Sequence, residues 1–109
     1  MASESVTELT ADTFSEVIAN SPVPVMVDFW AEWCGPCRQL APVVEALAVE
    51  LGDKARVAKL NVTGNEALAQ QYKVTGLPTL LFFKGGVEKD RVVGTTSKDR
   101  LKSKLEALL

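Results

Sequence analysis

Histidine is absent from this 109-residue sequence, cysteine occurs only twice, and neither sign of charge is in large excess. Each shortage removes a class of chemistry. Without histidine there is no Cys-His or Ser-His-Asp catalysis, and the commonest neutral metal ligand is missing. Two cysteines alone do not complete the four-coordinate sites typical of structural zinc, so no metal is expected unless a second chain or carboxylates contribute. Twelve basic residues against 14 acidic ones leave a formal charge of -2, which gives no general electrostatic case for nucleic acid or for an anionic membrane. Docking would have to rest on shape and apolar contact. No segment approaches the roughly 18 consecutive apolar residues of a membrane helix, and Met1-Ala2-Ser3-Glu4-Ser5 lacks the basic and apolar stretches of a secretory signal. The sequence reads as soluble and cytoplasmic, and a processed organellar protein would look the same.

What is present suits one compact domain, residues 1–109, expected as a monomer: 47% of the residues are hydrophobic, enough for a core without disulfide or metal support. Val6 to Leu9 reads as an edge strand, and Thr10 as the cap of a helix from Ala11 to Asn20 with Phe14, Val17 and Ile18 on one face. Ser21-Pro22-Val23-Pro24 ends that helix. Val25 to Trp30 is nearly continuous in apolar residues, as in a central strand covered on both faces, and only Asp28 interrupts it. The next helix runs to Leu51 on a stripe of Leu40, Val43, Val44, Leu47 and Leu51, with Pro42 expected to bend it and Gly52 to stop it. Ala55 to Val62 is a further strand, followed by a short helix with Ala67, Leu68 and Tyr72. Thr79 to Lys84 and Glu88 to Val93 are strands joined by Gly85-Gly86, and Ser97 caps a last helix bearing Leu101, Leu105 and Leu108. The alternation predicts an α/β fold, a mixed sheet of about five strands with helices on both faces.

Both cysteines fall in Trp33-Cys34-Gly35-Pro36-Cys37, where the apolar strand gives way to the helix. Their spacing puts Cys34 at the N-cap and Cys37 one turn inside. The unsatisfied N–H groups and the dipole of the helix start favour a thiolate at Cys34 and lower its pKa. Cys34 is expected to be exposed and Cys37 buried. A purely structural disulfide is the duller reading, but a loop of about four residues yields only roughly 2 kcal/mol in the chain-entropy model. Two buried core thiols are another, which the polar turn argues against. Gly35 allows a tight turn and Pro36 sets a helical φ where its missing N–H costs little. Neither adds a cation to stabilise the thiolate, which points to a reducing couple rather than an oxidising one.

The run Val27-Asp28-Phe29-Trp30-Ala31-Glu32-Trp33-Cys34-Gly35-Pro36-Cys37 closely resembles the active-site stretch of the thioredoxin family. Pro42, Lys59-Leu60-Asn61, Gly76-Leu77-Pro78-Thr79, Phe83-Lys84-Gly85-Gly86 and Gly94 stand in the family's order and spacing, so the resemblance covers essentially the whole chain. It implies the thioredoxin fold and a thiol-disulfide oxidoreductase with no cofactor beyond its own cysteine pair. Such a protein would reduce disulfides in client proteins and be recharged by a thioredoxin reductase. A disulfide oxidase or isomerase is the nearest alternative, and a binding or chaperone-like module with an incidental dithiol a more distant one.

The resemblance also assigns roles. Cys34 would be the nucleophile and Cys37 the resolving thiol, with Asp28 accepting the Cys37 proton through a water and Lys59 as charge partner. A carboxyl in an apolar strand has its pKa raised by desolvation, which suits a base near neutral pH; a buried ion pair kept for structure is the competing reading. Pro78 would be cis and lie against the cysteines, leaving the backbone of Leu77 free to pair with an extended substrate. Trp33, Gly76, Leu77, Pro78, Gly94 and Thr95 would form the docking surface, with Trp30 packed under the active-site loop. Two departures from the family pattern stand out: Thr63-Gly64-Asn65 replaces an acidic turn, with effects expected in the loop only, and Thr95 replaces a small apolar residue on the docking rim.

Overall fold

The two most apolar strands of this protein lie side by side in the middle of its sheet. The computed structural model describes residues 5–109. Its elements are β1 (Val6–Leu9), α1 (Ala11–Asn20), β2 (Val25–Trp30), α2 (Gly35–Leu51), a single 3-10 turn (Gly52–Lys54), β3 (Arg56–Asn61), α3 (Glu66–Gln71), β4 (Thr79–Lys84), β5 (Val87–Val93) and α4 (Lys98–Glu106). The sheet order is β1-β3-β2-β4-β5. β3 pairs in parallel with β1 and β2, whereas β4 runs antiparallel to β2 and β5. The most apolar strand, β2, is therefore central, and β1 is an edge.

Alternation along each strand divides the core in two. Met26, Val57, Leu80 and Phe82 face one way and meet Leu40, Val44 and Leu47 of α2 and Leu101 and Leu105 of α4. Val27, Phe29, Ala58, Leu60 and Phe83 face the other way, against Phe14 and Ile18 of α1 and Leu68 and Ala69 of α3. Helices thus cover both faces, because each presents one apolar stripe.

Local chemistry sets the boundaries. Thr10 begins α1, its N–H donating to Thr13 Oγ1 at 3.0 Å. Ser97 Oγ caps α4 by accepting from Arg100 N–H at 3.2 Å. Gly85 and Gly86 hold φ of +59° and +80°, a conformation that only glycine adopts readily and that a two-residue hairpin of this hand requires. α2 passes unbroken through Pro42. Four boundaries differ from the sequence pattern: β3 starts at Arg56 and stops at Asn61, β5 begins at Val87, and Tyr72 follows α3 instead of ending inside it. Asn65 corrects a further expectation. Its Oδ1 accepts from Ala11 N–H at 2.8 Å and its Nδ2 donates to the Asn61 carbonyl at 2.9 Å, so the altered turn ties the start of α1 to the end of β3 and is not confined to the loop.

Candidate active site

The end of β2 turns into α2 through Ala31, whose carbonyl accepts from Cys34 N–H at 3.1 Å. Cys34 is the N-cap of α2, and its Sγ accepts from Cys37 N–H at 3.2 Å. The two cysteines are joined in a disulfide with their Cα atoms 5.3 Å apart. The pair is asymmetric as the spacing predicts: only the Cys34 sulfur is aimed at the helix N-terminus, where free N–H groups stabilise an anion.

Two expectations about this turn are corrected. Cys34 is as buried as Cys37, at 5% and 3% exposure, because Trp30, Val62 and Leu77 pack over the pair in its oxidised form. Val62 follows β3 and Leu77 precedes β4, so this cover comes from segments distant in sequence. Gly35 needs no glycine-specific backbone: it is not among the positive-φ residues, and an added Cβ would meet nothing closer than the Arg38 guanidinium at 4.0 Å. Pro36 occupies the first turn as predicted.

The Leu77-Pro78 bond is cis. Pro78 itself is buried, as the cysteines are. Its carbonyl accepts from Gly94 N–H at 2.8 Å, which joins the end of β5 to this loop. Leu77 is half-buried against the cysteines, and no backbone hydrogen bond among the described residues uses its N–H or carbonyl. Trp33 is 73% exposed, Gly76 and Gly94 are half-buried, and Thr95 is exposed. Sequence reasoning missed Val93, which is 65% exposed and lies 3.8 Å from the position of a Cβ on Gly76. It also missed a groove of about 230 Å³ next to the residues that cover the disulfide, lined by apolar Trp33, Val62, Ala69, Val74 and Leu77 and by polar Glu66, Gln70 and Thr75. The signal for both was weak, since valines at strand ends read as ordinary core.

Asp28 and Lys59 are neighbours across β2 and β3 and are both buried. Burial, offset only in part by the nearby Lys59 charge, leaves the Asp28 carboxyl raised to about 7. Among the described residues no group donates a hydrogen bond to either Asp28 oxygen. Lys59 is a nearby charge but not a contact partner. Its ammonium lies 4.5 Å from the centroid of the Trp30 ring, and Trp30 in turn packs on the cysteine pair as expected. Among the described residues no group of three or more His, Cys, Asp or Glu is placed to hold a metal ion, and no helix is long and apolar enough to cross a membrane.

The family model "Thioredoxin" matches residues 5–107. The sequence is 46% identical over 99 residues to Thioredoxin 1 of Nostoc sp., covering 91% of this chain and 92% of that protein. It is 47% identical over 97 residues to the thioredoxin of Synechocystis sp., covering 89% and 91% respectively. It is also 43% identical to the chloroplastic M-type thioredoxin of Spinacia oleracea over 99% of this chain and 61% of that one.

Proposed function

The chain belongs to the thioredoxin family, and from that premise we propose that it reduces disulfides in client proteins and is recharged by a thioredoxin reductase. It is a protein thiol-disulfide oxidoreductase whose redox group is its own Cys34–Cys37 pair. The observation that carries the direction of the chemistry is the placement of Cys34 Sγ at the α2 N-cap, accepting from Cys37 N–H at 3.2 Å.

In the proposed cycle the Cys34 thiolate attacks one sulfur of a client disulfide. A Cys34–client bond forms, the client S–S bond breaks, and the other client sulfur leaves as a thiolate. Cys37 then gives its proton to Asp28 and attacks Cys34 Sγ; the Cys34–Cys37 bond forms and the second client sulfur leaves. Two electrons and two protons pass to the client, and reductase returns them. Trp33, Gly76, Leu77, Pro78, Gly94 and Thr95 would carry the docking, with Val93 and the adjoining groove extending it, and the unpaired backbone of Leu77 supports strand-like pairing with the client. Lys59 and Trp30 serve Asp28, and Pro42 and Pro78 shape the elements around the sulfurs. We place the activity in a single domain spanning 1–109, working as a monomer in the cytoplasm, with a chloroplastic relative among the similar proteins.

Reduction of insulin disulfides by dithiothreitol tests this reading. The parent protein is expected to accelerate precipitation of the insulin B chain, and Cys34→Ser to abolish the acceleration. Equal rates for the two would leave the dithiol incidental and favour a binding module.

A further inference from the structure

The Lys59 ammonium has two attractors within reach, a carboxyl and an aromatic face, and the structure gives it to the aromatic one. Asp28 and Lys59 are cross-strand neighbours, and Trp30 lies two residues further along β2 on the same face of the sheet. Long side chains on a strand lean along it, and Lys59 Nζ ends 4.5 Å from the Trp30 ring centroid. Lys59 is only 3% exposed, so the ring stands in for much of the water its charge has lost. The four ion pairs among the described residues engage Glu88, Glu50 and Asp90, and none engages Asp28.

We propose that Trp30 is a positioning residue: its ring holds the Lys59 ammonium out of contact with Asp28, leaving that carboxyl free to exchange a proton with Cys37 instead of being fixed as half of a buried salt bridge. The value of this to the chemistry rests on the reading of Asp28 as the base for Cys37. A contact ion pair lowers a carboxyl by about 1 to 3 pH units, which would return Asp28 toward an ordinary carboxylate and make it a weak base. At its present distance Lys59 offsets only part of the effect of burial.

The other ionisable groups around Asp28 are few. Glu8, exposed on β1, is the register partner of Lys59 and stands on its far side from Asp28. β4 presents Leu80 and Phe82 to this face, and α4 presents Leu101 and Leu105. From α2 come the cysteine pair, exposed Arg38 and Glu50, and half-buried Glu45. Glu50 is taken up by Lys98 and Lys102, and Arg38 Nη1 donates to the Glu32 carbonyl at 2.7 Å.

The test follows the Asp28 carboxyl directly by carbon-13 NMR across pH 4 to 10, a range of roughly three units either side of its midpoint, in the oxidised protein. In Trp30→Leu the midpoint is expected to fall by about one unit as Lys59 closes on Asp28. Trp30→Phe keeps a weaker aromatic face and should give a smaller fall, which carries the test if the leucine variant does not fold. In a Lys59→Met background, Trp30→Leu should move the midpoint no further. An unchanged or raised midpoint, or an equal fall without Lys59, overturns the proposal, because the freed ammonium would then have gone to Glu8 or to solvent, or the ring would act only by packing. The pH profile of mixed-disulfide resolution is read separately. If the Asp28 midpoint falls while that profile stays put, the hold of Trp30 on Lys59 stands and the reading of Asp28 as base is lost.

Discussion

Asp28 sits at 1% exposure with its carboxyl raised to about 7, so near neutral pH it divides between acid and carboxylate. In the unfolded chain it would titrate near 4, in the ordinary carboxylate range. Between those two values the native state keeps a proton that the unfolded state releases. Its burial therefore costs least below about pH 4, the cost grows as pH rises toward 7, and it stays constant above that. Asn at this position cannot ionise, so Asp28→Asn should stabilise the protein at pH 8 by on the order of 4 kcal/mol and by little at pH 4. Urea unfolding at the two pH values checks the sign, and a larger gain at pH 4 would contradict desolvation as the cause. The same variant should resolve mixed disulfides more slowly, with the dependence on pH between about 6 and 8 removed. At this scale the sequence was partly legible. Asp28 stood out as the one charge in an apolar run, whereas the seat of Lys59 on Trp30 depends on a register between two strands that residue spacing does not reveal.

Among the elements, α2 carries the chemistry because its first turn begins at a cysteine. Cys34 as N-cap, Pro36 in the first turn and Gly52 at the stop were all readable, since each follows from a local backbone preference. The role of Gly35 was misread: its backbone is available to any residue, and open space surrounds its Cβ position. Gly35→Ala is accordingly expected to leave the fold intact and to raise stability by up to about 0.5 to 1 kcal/mol, by reducing the freedom of the unfolded chain. Chemical denaturation of the oxidised protein measures this, and a loss of more than about 1 kcal/mol would mean that the turn does require glycine. Burial of Cys34 was hidden for a different reason. Its cover, Val62 and Leu77, comes from the ends of two strands that only the folded sheet brings together. The link from Asn65 to α1 was hidden likewise, since it spans 54 positions.

Across the whole molecule, the class of fold and the number of strands followed from alternating apolar patterns, and the order β1-β3-β2-β4-β5 sets the most apolar strand at the centre with the disulfide at its end. Two apolar cores fix the sheet from both sides, so the active-site turn rests on a rigid base while the groove beside it stays open. The central claim is the division of labour between the cysteines, Cys34 attacking and Cys37 resolving. Its most direct measurement is mass spectrometry of Cys37→Ser and Cys34→Ser, each incubated reduced with a disulfide-bonded protein substrate. The expected result is a stable mixed disulfide on Cys34 in the first variant and little or none on Cys37 in the second. Equal capture by the two variants, or capture by Cys37 alone, would contradict it.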